Sequence, residues 1–565
     1  EMNRTTEQWL EQSDVVIYNA SYLIDHLFAK VPVVVKKGQK LDAYFVQTRA
    51  VRSHNPNLRD RNGMIRAKWV DYLLEIAFQL LVMERKHPDW KIRPWLVLPN
   101  RKEKCGTDNL DLKLTELKKN SRIGVVQKAE LADHSGIWTK IPVSTYVRDI
   151  REGSYLINTG ERDGFDSFES RVMEMASLYR KGKKVATPIG KKCKRCEFRI
   201  DNEKIENGMR SGFRECWRDR LNITNSVLDT PHVFDLFGSG TGRMIEKGIY
   251  FQNELSVEQR ALDRIYHSNG RITDRDRQLL QIQKANGRER ADVIMKPQLR
   301  DEVPRWQYPL HFIDFEAGSY AIPHREGLRP YDPVVFQFSC HTLKEDGELT
   351  HRDWIGLDPE CYNNYELVRQ LSAIPDIDSG TIIHYSNFER HMLKNILGEL
   401  RRETNREAAR LADWVRALIG RNDSSSTVAP YLVDMNRLVR NYYYNPYMAD
   451  SLSIKDLLPA VMRVSPHLRD RYAQPYEGSN FSTIRWWRKA ADDGVKNPYR
   501  LMEEDQSFTI RRGTQAMAAY ARLRAGTVER AEREEIIRSL LQYCEMDTLA
   551  MVMVYQHWRE LLDTS

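Results

Sequence analysis

Long apolar runs are missing from this chain of 565 residues. A membrane-spanning helix needs about 18 or more consecutive apolar residues. No stretch approaches that, and no signal-peptide pattern opens the chain, so the expectation is a cytoplasmic protein with no membrane partner. Cysteine is scarce too. Seven cysteines, an odd number unevenly spaced, exclude the disulfide framework of a small secreted protein. Internal repeats and long low-complexity tracts are absent, which excludes a repeat array. A large charge imbalance is also lacking: 87 Lys and Arg stand against 79 Asp and Glu, a net charge of +8. That balance permits a polyanionic partner without requiring one. The remaining composition, 41% hydrophobic and 29% charged, is that of an ordinary globular chain with room for about two to four domains.

Along the chain, residues 30–50 read as β-rich, with Gly38 in a turn. An amphipathic helix follows in "RAKWVDYLLEIAFQLLVMER", then an apolar strand in "PWLVLP". Residues 165–182 read as helical, and residues 255–300 as a polar, helical connector. From Tyr308 onward apolar strands ("LHFIDFE", "DPVVFQFSCHTL", "GTIIHYS", "PYLVDM") alternate with helical stretches, the pattern of an α/β domain. "NDSSST" at 422–427 reads as a loop.

"LHFIDFEAG" raises the first chemical question. Side chains two apart on a strand point to the same face, so Asp314 and Glu316 should sit side by side and raise each other's pKa unless a cation lies between them. Glu389 falls in the first turn of the helix predicted after "GTIIHYS", where the helix dipole suits an anion. On a C-terminal helix Tyr543 and Asp547 are four residues apart and share one face, while Glu545 points elsewhere. Each feature alone has an ordinary structural explanation. Together, four acids in three separated elements make a plausible site for hard cations such as Mg²⁺ or Mn²⁺. Two such ions about 4 Å apart would activate a water and stabilise the leaving oxygen of a phosphodiester.

These residues, in this order, resemble the three motifs of the DEDD superfamily of 3′→5′ exonucleases, tyrosine subtype. The resemblance implies an RNase H-like fold and two divalent ions. Asp314, Glu316, Glu389 and Asp547 would be the metal ligands, and Tyr543 would orient the attacking water. One ion, held by Asp314 and Asp547, would activate the water; the other, near Asp314 and Glu316, would neutralise the leaving oxygen. Glu389 departs from the usual Asp by one methylene. "YLVDMNRL" and "SLSIKDLL" resemble the segments between the second and third motifs. More closely, "HFIDFEAGSYAIPHREGLRPYDPVVFQFSCH" and "YCEMDTLAMV" are similar to the bacterial family of unknown function numbered 2779, in which a RecB-like nuclease module precedes the exonuclease-like domain. Within that stretch Arg325 and Arg329 suit phosphate contact near the metals, and suit a solvated loop at least as well.

For the N-terminal part the resemblance implies a restriction-endonuclease-like core. The helix ending in Gln79 fits, and "AYFVQTRAV" would be the catalytic strand. It carries Gln47 and Arg49 where the family has Glu and Lys, and the preceding strand supplies no carboxylate. A neutral amide cannot replace an anionic ligand, so this module reads as a degenerate nuclease; Asp42 and Asp71 are the nearest remaining acids. Further on, Cys193 and Cys196 form a C-x-x-C pair and Cys216 follows, a moderate metal signal for zinc or an iron–sulfur cluster. RecB-like relatives hold a [4Fe–4S] cluster with four cysteines. The fourth ligand here would be Cys105, or a residue such as His134 if the metal is zinc, and a remnant that binds nothing is equally open. Cys340, Cys361 and Cys544 read as ordinary buried residues. Residues 180–195 carry eight Lys or Arg and no acid; among them Lys183, Lys184, Lys191 and Lys192 suit phosphate contact as well as a solvated face.

The sequence therefore predicts a degenerate RecB-like module with a Cys-rich segment over 1–220, a helical connector over 221–304 and a DEDD-type exonuclease domain over 305–565. The expected function is metal-dependent 3′→5′ hydrolysis of DNA ends, in repair or in defence against foreign DNA. The competing expectations are a catalytically silent nucleic-acid-binding scaffold and an RNA-directed exonuclease.

Overall fold

The computed structural model describes residues 2–114, 136–153, 167–185, 187–200, 205, 208–238, 240–287, 293–420, 432–448, 450–490, 494–502, 510–526 and 528–564. By internal contacts the chain forms two compact units, Glu1–Thr187 with Ser319–Asp332 and Pro188–Gly318 with Pro333–Ser565. Both are mixed α/β, the class expected from the alternation of strands and helices. His134 and the "NDSSST" segment lie outside the described residues.

In the first unit one sheet runs in sequence order: β1 (Asp14–Ile24), β2 (Leu27–Lys37), β3 (Lys40–Val46), β4 (Lys91–Pro99) and β5 (Trp138–Pro142). The turn between β2 and β3 needs the left-handed backbone of Gly38, φ +57°, which costs glycine nothing. β3 and β4 are parallel, so the chain must cross over between them. The helix Ala67–Lys86 makes that crossover and buries Trp69, Leu73, Ile76, Ala77 and Leu80 in the unit's core. Its last turn carries Arg85 and Lys86, cations placed where the helix dipole favours them.

The expected strand "AYFVQTRAV" is cut short. Regular pairing with β4 ends at Val46 opposite Val97; Gln47 N–H still bonds the Val97 carbonyl oxygen, and after a break Val51 rejoins the end of β4, its N–H bonding the Pro99 carbonyl oxygen at 2.9 Å. Gln47 and Arg49 therefore lie in the break after β3 rather than within a regular strand. Arg49 is exposed, its guanidinium 5.8 Å from the centre of the Trp69 ring. The polar run "QTRA" offers the ladder nothing to bury, and the pairing resumes at the buried Val51.

The second unit is built on a five-stranded sheet in the order β11–β10–β7–β8–β9. Its strands are β7 (Leu310–Ser319), β8 (Pro333–Leu343), β9 (Leu349–Ile355), β10 (Thr381–His384) and β11 (Leu432–Asp434). β10 runs parallel to β7 and β11 parallel to β10, while β8 and β9 are antiparallel. A separate two-stranded ladder joins β6 (Ile294–Met295) to β12 (Tyr443–Tyr444). The central strand β7 is covered on both faces. Leu310 and Phe312 pack into one core with Leu457, Val461, Met546, Leu549 and Ala550, from the helices Ile454–Val464 and Arg530–Asp563. Ile313 and Phe315 pack into the other with Leu367, Met392 and Leu411, from the helices Asn363–Ser372, Phe388–Leu400 and Arg406–Gly420. Alternation along one strand thus feeds two cores.

The helices of residues 259–302 pack within this unit. Arg277 is buried and donates to the carbonyl oxygens of Val439, Arg440 and Tyr443, each at 2.8 Å. At the start of β10, a Cβ on Gly380 would overlap the Pro309 carbonyl oxygen; only glycine allows the two backbones that close.

A candidate acidic active site on the central strand

Asp314 and Glu316 continue the face of β7 begun by Leu310 and Phe312, where the apolar residues give way to carboxylates. The C-terminal helix Arg530–Asp563 crosses this face and is buried along most of its length from Ile536 to Trp558. That burial fixes its rotation, and it brings Asp547 to the strand. Ligand oxygens of Asp314, Glu316 and Asp547 all lie within 4.8 Å of one another, the one grouping of three or more potential metal-binding side chains among the described residues. On the helix's opposite face Glu545 accepts hydrogen bonds from the backbone N–H groups of Ser479 (2.9 Å) and Asn480 (2.8 Å). It points elsewhere, as the helical spacing predicts.

Glu389 occupies the first turn of the helix Phe388–Leu400 and is buried. His384, at the end of β10, places Nδ1 3.4 Å from Glu389 Oε2, but its ring N–H is turned to the Ser386 carbonyl oxygen. Glu389 Oε2 is left buried without a hydrogen bond. A buried carboxylate oxygen in that state costs free energy unless a cation approaches it.

The electrostatics of the cluster follow from crowding acids in a site partly closed to water. Burial raises the Asp314 pKa well above the ordinary carboxylate range, and Asp547, Glu389 and Glu316 add to the rise. Glu316 is pushed up to about 8 by burial and by Asp547, against the opposing pull of Lys455. Burial likewise raises Glu389 and Asp547. Tyr543, one helical turn before Asp547, is raised by burial and by the carboxylates Asp547, Glu316 and Asp314. It therefore stays a neutral phenol at any ordinary pH.

Four further residues belong to this site that sequence reasoning did not assign to it. Tyr499 donates to Asp547 Oδ1 at 2.5 Å. The Cys544 thiol lies 3.4 Å from Asp314 Oδ2, so Cys544 is buried, as expected, yet touches the site. His384 adjoins Glu389. Lys455, in the first turn of the helix Ile454–Val464, donates to the Tyr543 hydroxyl oxygen. The "SLSIKDLL" stretch held Lys455 in plain view, but a lone lysine after an N-cap serine has no signature of its own.

The remaining predicted positions are divided between the two units. Arg325 and Arg329 belong to the segment 319–332 of the first unit, which is tied there by Cys105 N–H to the Leu328 carbonyl oxygen and Asn109 N–H to that of His324. Lys183 and Lys184 are exposed in the first unit. In the second unit Lys191 pairs with Glu246 at 2.5 Å, and Lys192 is exposed. Asp42 accepts from Arg93 (2.6 Å) and from the Trp95 indole (3.0 Å).

Cys193 and Cys196 pack against an aromatic cluster holding Phe213 and Trp217. Cys216, on the helix Gly212–Leu221, has its pKa raised by burial and by Cys193 and Cys196. The three thiols thus share a neighbourhood without closing to within 4.8 Å of one another. Cys105 is buried in the first unit beside Leu110 and Ile137, its thiol donating to the Thr107 carbonyl oxygen at 3.2 Å. Cys340 is buried, but Cys361 is exposed, a correction to its expected burial: it sits in a surface turn facing Asp358.

Residues 311–453 match a family described as a domain of unknown function (DUF2779). This supports the similarity read from the strand motif, and the match covers Asp314, Glu316 and Glu389 but stops short of Tyr543 and Asp547. No curated protein and no solved structure matches the chain.

Proposed function

We propose that the second unit is a metal-dependent 3′→5′ exonuclease of the DEDD type, acting on DNA. The observation that carries this reading is the meeting of Asp314, Glu316 and Asp547 within 4.8 Å beside a neutral tyrosine. The donor set suits hard cations: it is all oxygen. Burial and mutual repulsion raise the carboxylate pKa values, so these acids favour either a proton or a bound cation, and the unsatisfied Glu389 oxygen adds a further acceptor.

Asp314, Glu316, Glu389 and Asp547 would hold two divalent ions, whose chemistry is to acidify the attacking water and neutralise the departing oxygen. The chain's own groups do the rest. Tyr499 restrains Asp547 by one hydrogen bond, and the Cys544 thiol makes a weaker one to Asp314. The Tyr543 hydroxyl, protonated throughout, orients the water by hydrogen bonding. The mixed sheet with its carboxylate pair on the central strand suits the RNase H-like architecture that the motif resemblance implies.

The first unit, with Asp42 paired and no acid at Gln47, fits a degenerate RecB-like module that contributes binding or architecture. Incubating the protein with end-labelled single- and double-stranded DNA and RNA, in Mn²⁺, Mg²⁺ or EDTA, tests the proposal. Stepwise release of nucleotides from the 3′ end of DNA in Mn²⁺ or Mg²⁺ alone is the expected outcome. Binding without release in any metal would make the protein a scaffold.

A further inference from the structure

We propose that Lys455 is a positioning residue for catalysis: it holds the Tyr543 phenol so that the phenolic proton is directed at the attacking water. This rests on the exonuclease reading and goes beyond it, because that reading assigns Tyr543 a role without saying what aims it.

A phenol can rotate about its ring axis and can swing its hydroxyl proton to either side, so orientation must come from a neighbour. The Lys455 ammonium donates to Tyr543 Oη. An ammonium has three donors and no acceptor, so the direction of this hydrogen bond is unambiguous. Tyr543 accepts, and its own proton must be donated to something else. The acids whose charges act on Tyr543 are Asp547, Glu316 and Asp314, and their oxygens converge within 4.8 Å of one another, with Asp547 one helical turn from Tyr543. A water held among them is therefore the natural recipient.

The lysine is itself anchored. Its Nζ also donates to the Arg511 carbonyl oxygen at 3.2 Å, and its own carbonyl oxygen accepts from Asn497 at 3.3 Å. Its backbone N–H bonds the Ser453 hydroxyl at the helix N-cap. The ammonium lies 4.1 Å from the centre of the Tyr543 ring and 5.3 Å from that of Tyr499, the residue that holds Asp547. One cation thus bridges the two tyrosines that flank the C-terminal acid. Cation–π contact and the charged hydrogen bond reinforce each other in a half-buried setting.

The test is a double-mutant cycle on the full chain, with 5′-labelled single-stranded DNA and Mn²⁺. Lys455→Met keeps the length of the side chain and removes its charge and donors. A charged hydrogen bond of this kind is worth about 10- to 100-fold, so kcat should fall by that factor while KM for DNA changes little. In a Tyr543→Phe background, which has no hydroxyl to aim, Lys455→Met should cost less than about twofold more. Lys455→Arg, which keeps charge and donors in another shape, should recover part of the loss. A rise in KM at unchanged kcat would make Lys455 a DNA-binding residue and overturn the proposal. Equal losses in both backgrounds would make it a general counter-charge, and overturn it too.

A second readout needs no turnover. With 3-fluorotyrosine at position 543, ¹⁹F NMR of the resting protein should show one sharp resonance that Lys455→Met shifts or broadens and Lys455→Arg restores. An unchanged spectrum refutes the positioning role. A changed spectrum in a protein that releases no nucleotide from any substrate would leave the tether standing and sink the exonuclease reading instead.

Discussion

Raising the pH of the metal-free protein from 6.5 to 8 should destabilise its second unit. Glu316 is the clearest source. Its folded pKa is pushed up to about 8 from an ordinary value of 4.5, burial being the main cause and Asp547 the next. Between those values the folded state binds a proton that the unfolded chain does not, so stability falls as pH rises and levels off above about 8. The slope for one full proton is about 1.4 kcal/mol per pH unit. Over this window that amounts to about 1–2 kcal/mol, after allowing for the water that reaches this half-buried carboxylate. Asp314, Glu389 and Asp547, all raised, act in the same direction. The buried histidines His232, His311, His341, His351 and His557 act in the opposite one, because burial lowers their pKa values. Their effect ends near pH 6.5, where the unfolded imidazoles lose their protons, so the upper window isolates the acids. The assay is urea unfolding in EDTA at half-unit pH steps, following the transition that Mn²⁺ shifts. Mn²⁺ at about 100 times its Kd should restore about 2.7 kcal/mol at pH 8, and Glu316→Gln should flatten the slope. Stability that is level or rises from pH 6.5 to 8 in EDTA would refute the claim that these carboxylates are crowded and uncompensated.

Other expectations are more local. Tyr543→Phe should lower kcat by about 10- to 100-fold, since one hydrogen bond is lost but no metal ligand; steady-state nucleotide release measures it, and full activity would remove Tyr543 from the mechanism. Gly380→Ala should destabilise the second unit by about 3 kcal/mol or more, because its Cβ meets backbone rather than a movable side chain; a shift in urea midpoint under about 0.5 kcal/mol would contradict the close approach of β10 to Pro309. Thiolates on one zinc ion lie at about 2.3 Å from it and so within about 4.6 Å of each other, which Cys193, Cys196 and Cys216 do not satisfy together. Protein purified anaerobically should therefore carry no stoichiometric zinc; elemental analysis checks this, stoichiometric zinc would contradict it, and a visible absorption spectrum separates bound iron from an empty site.

The legible part of this protein was the part governed by short periodicities. Asp314 and Glu316 could be placed on one face because strand alternation is strict, and Tyr543 and Asp547 because a helix brings residues four apart together. The convergence of these elements was not periodic information; it came from motif order. The chain's long-range partners stayed hidden for the same reason. Lys455 and Tyr499 reach the acids only through the packing of separate helices, and no spacing in the sequence records that. At Gln47 the error was one of continuation: "AYFVQTRAV" pairs regularly to Val46, a polar run then interrupts the ladder, and only Val51 rejoins it. The grouping of 319–332 with the first unit was likewise invisible, because a segment leaving one sheet and returning to it looks from sequence like any loop between two strands.

The measurement that bears most directly on the central claim compares wild type with Asp314→Asn on end-labelled DNA in Mn²⁺. The amide keeps the shape of the side chain and removes the charge that would hold the cations. Wild type should release nucleotides from the 3′ end. Asp314→Asn should release none, yet bind DNA as tightly or more so, because phosphate contacts come mainly from Lys and Arg and one repelling charge is gone. Equal release by the two proteins would contradict the account, for the carboxylates of β7 would then not be its catalytic centre.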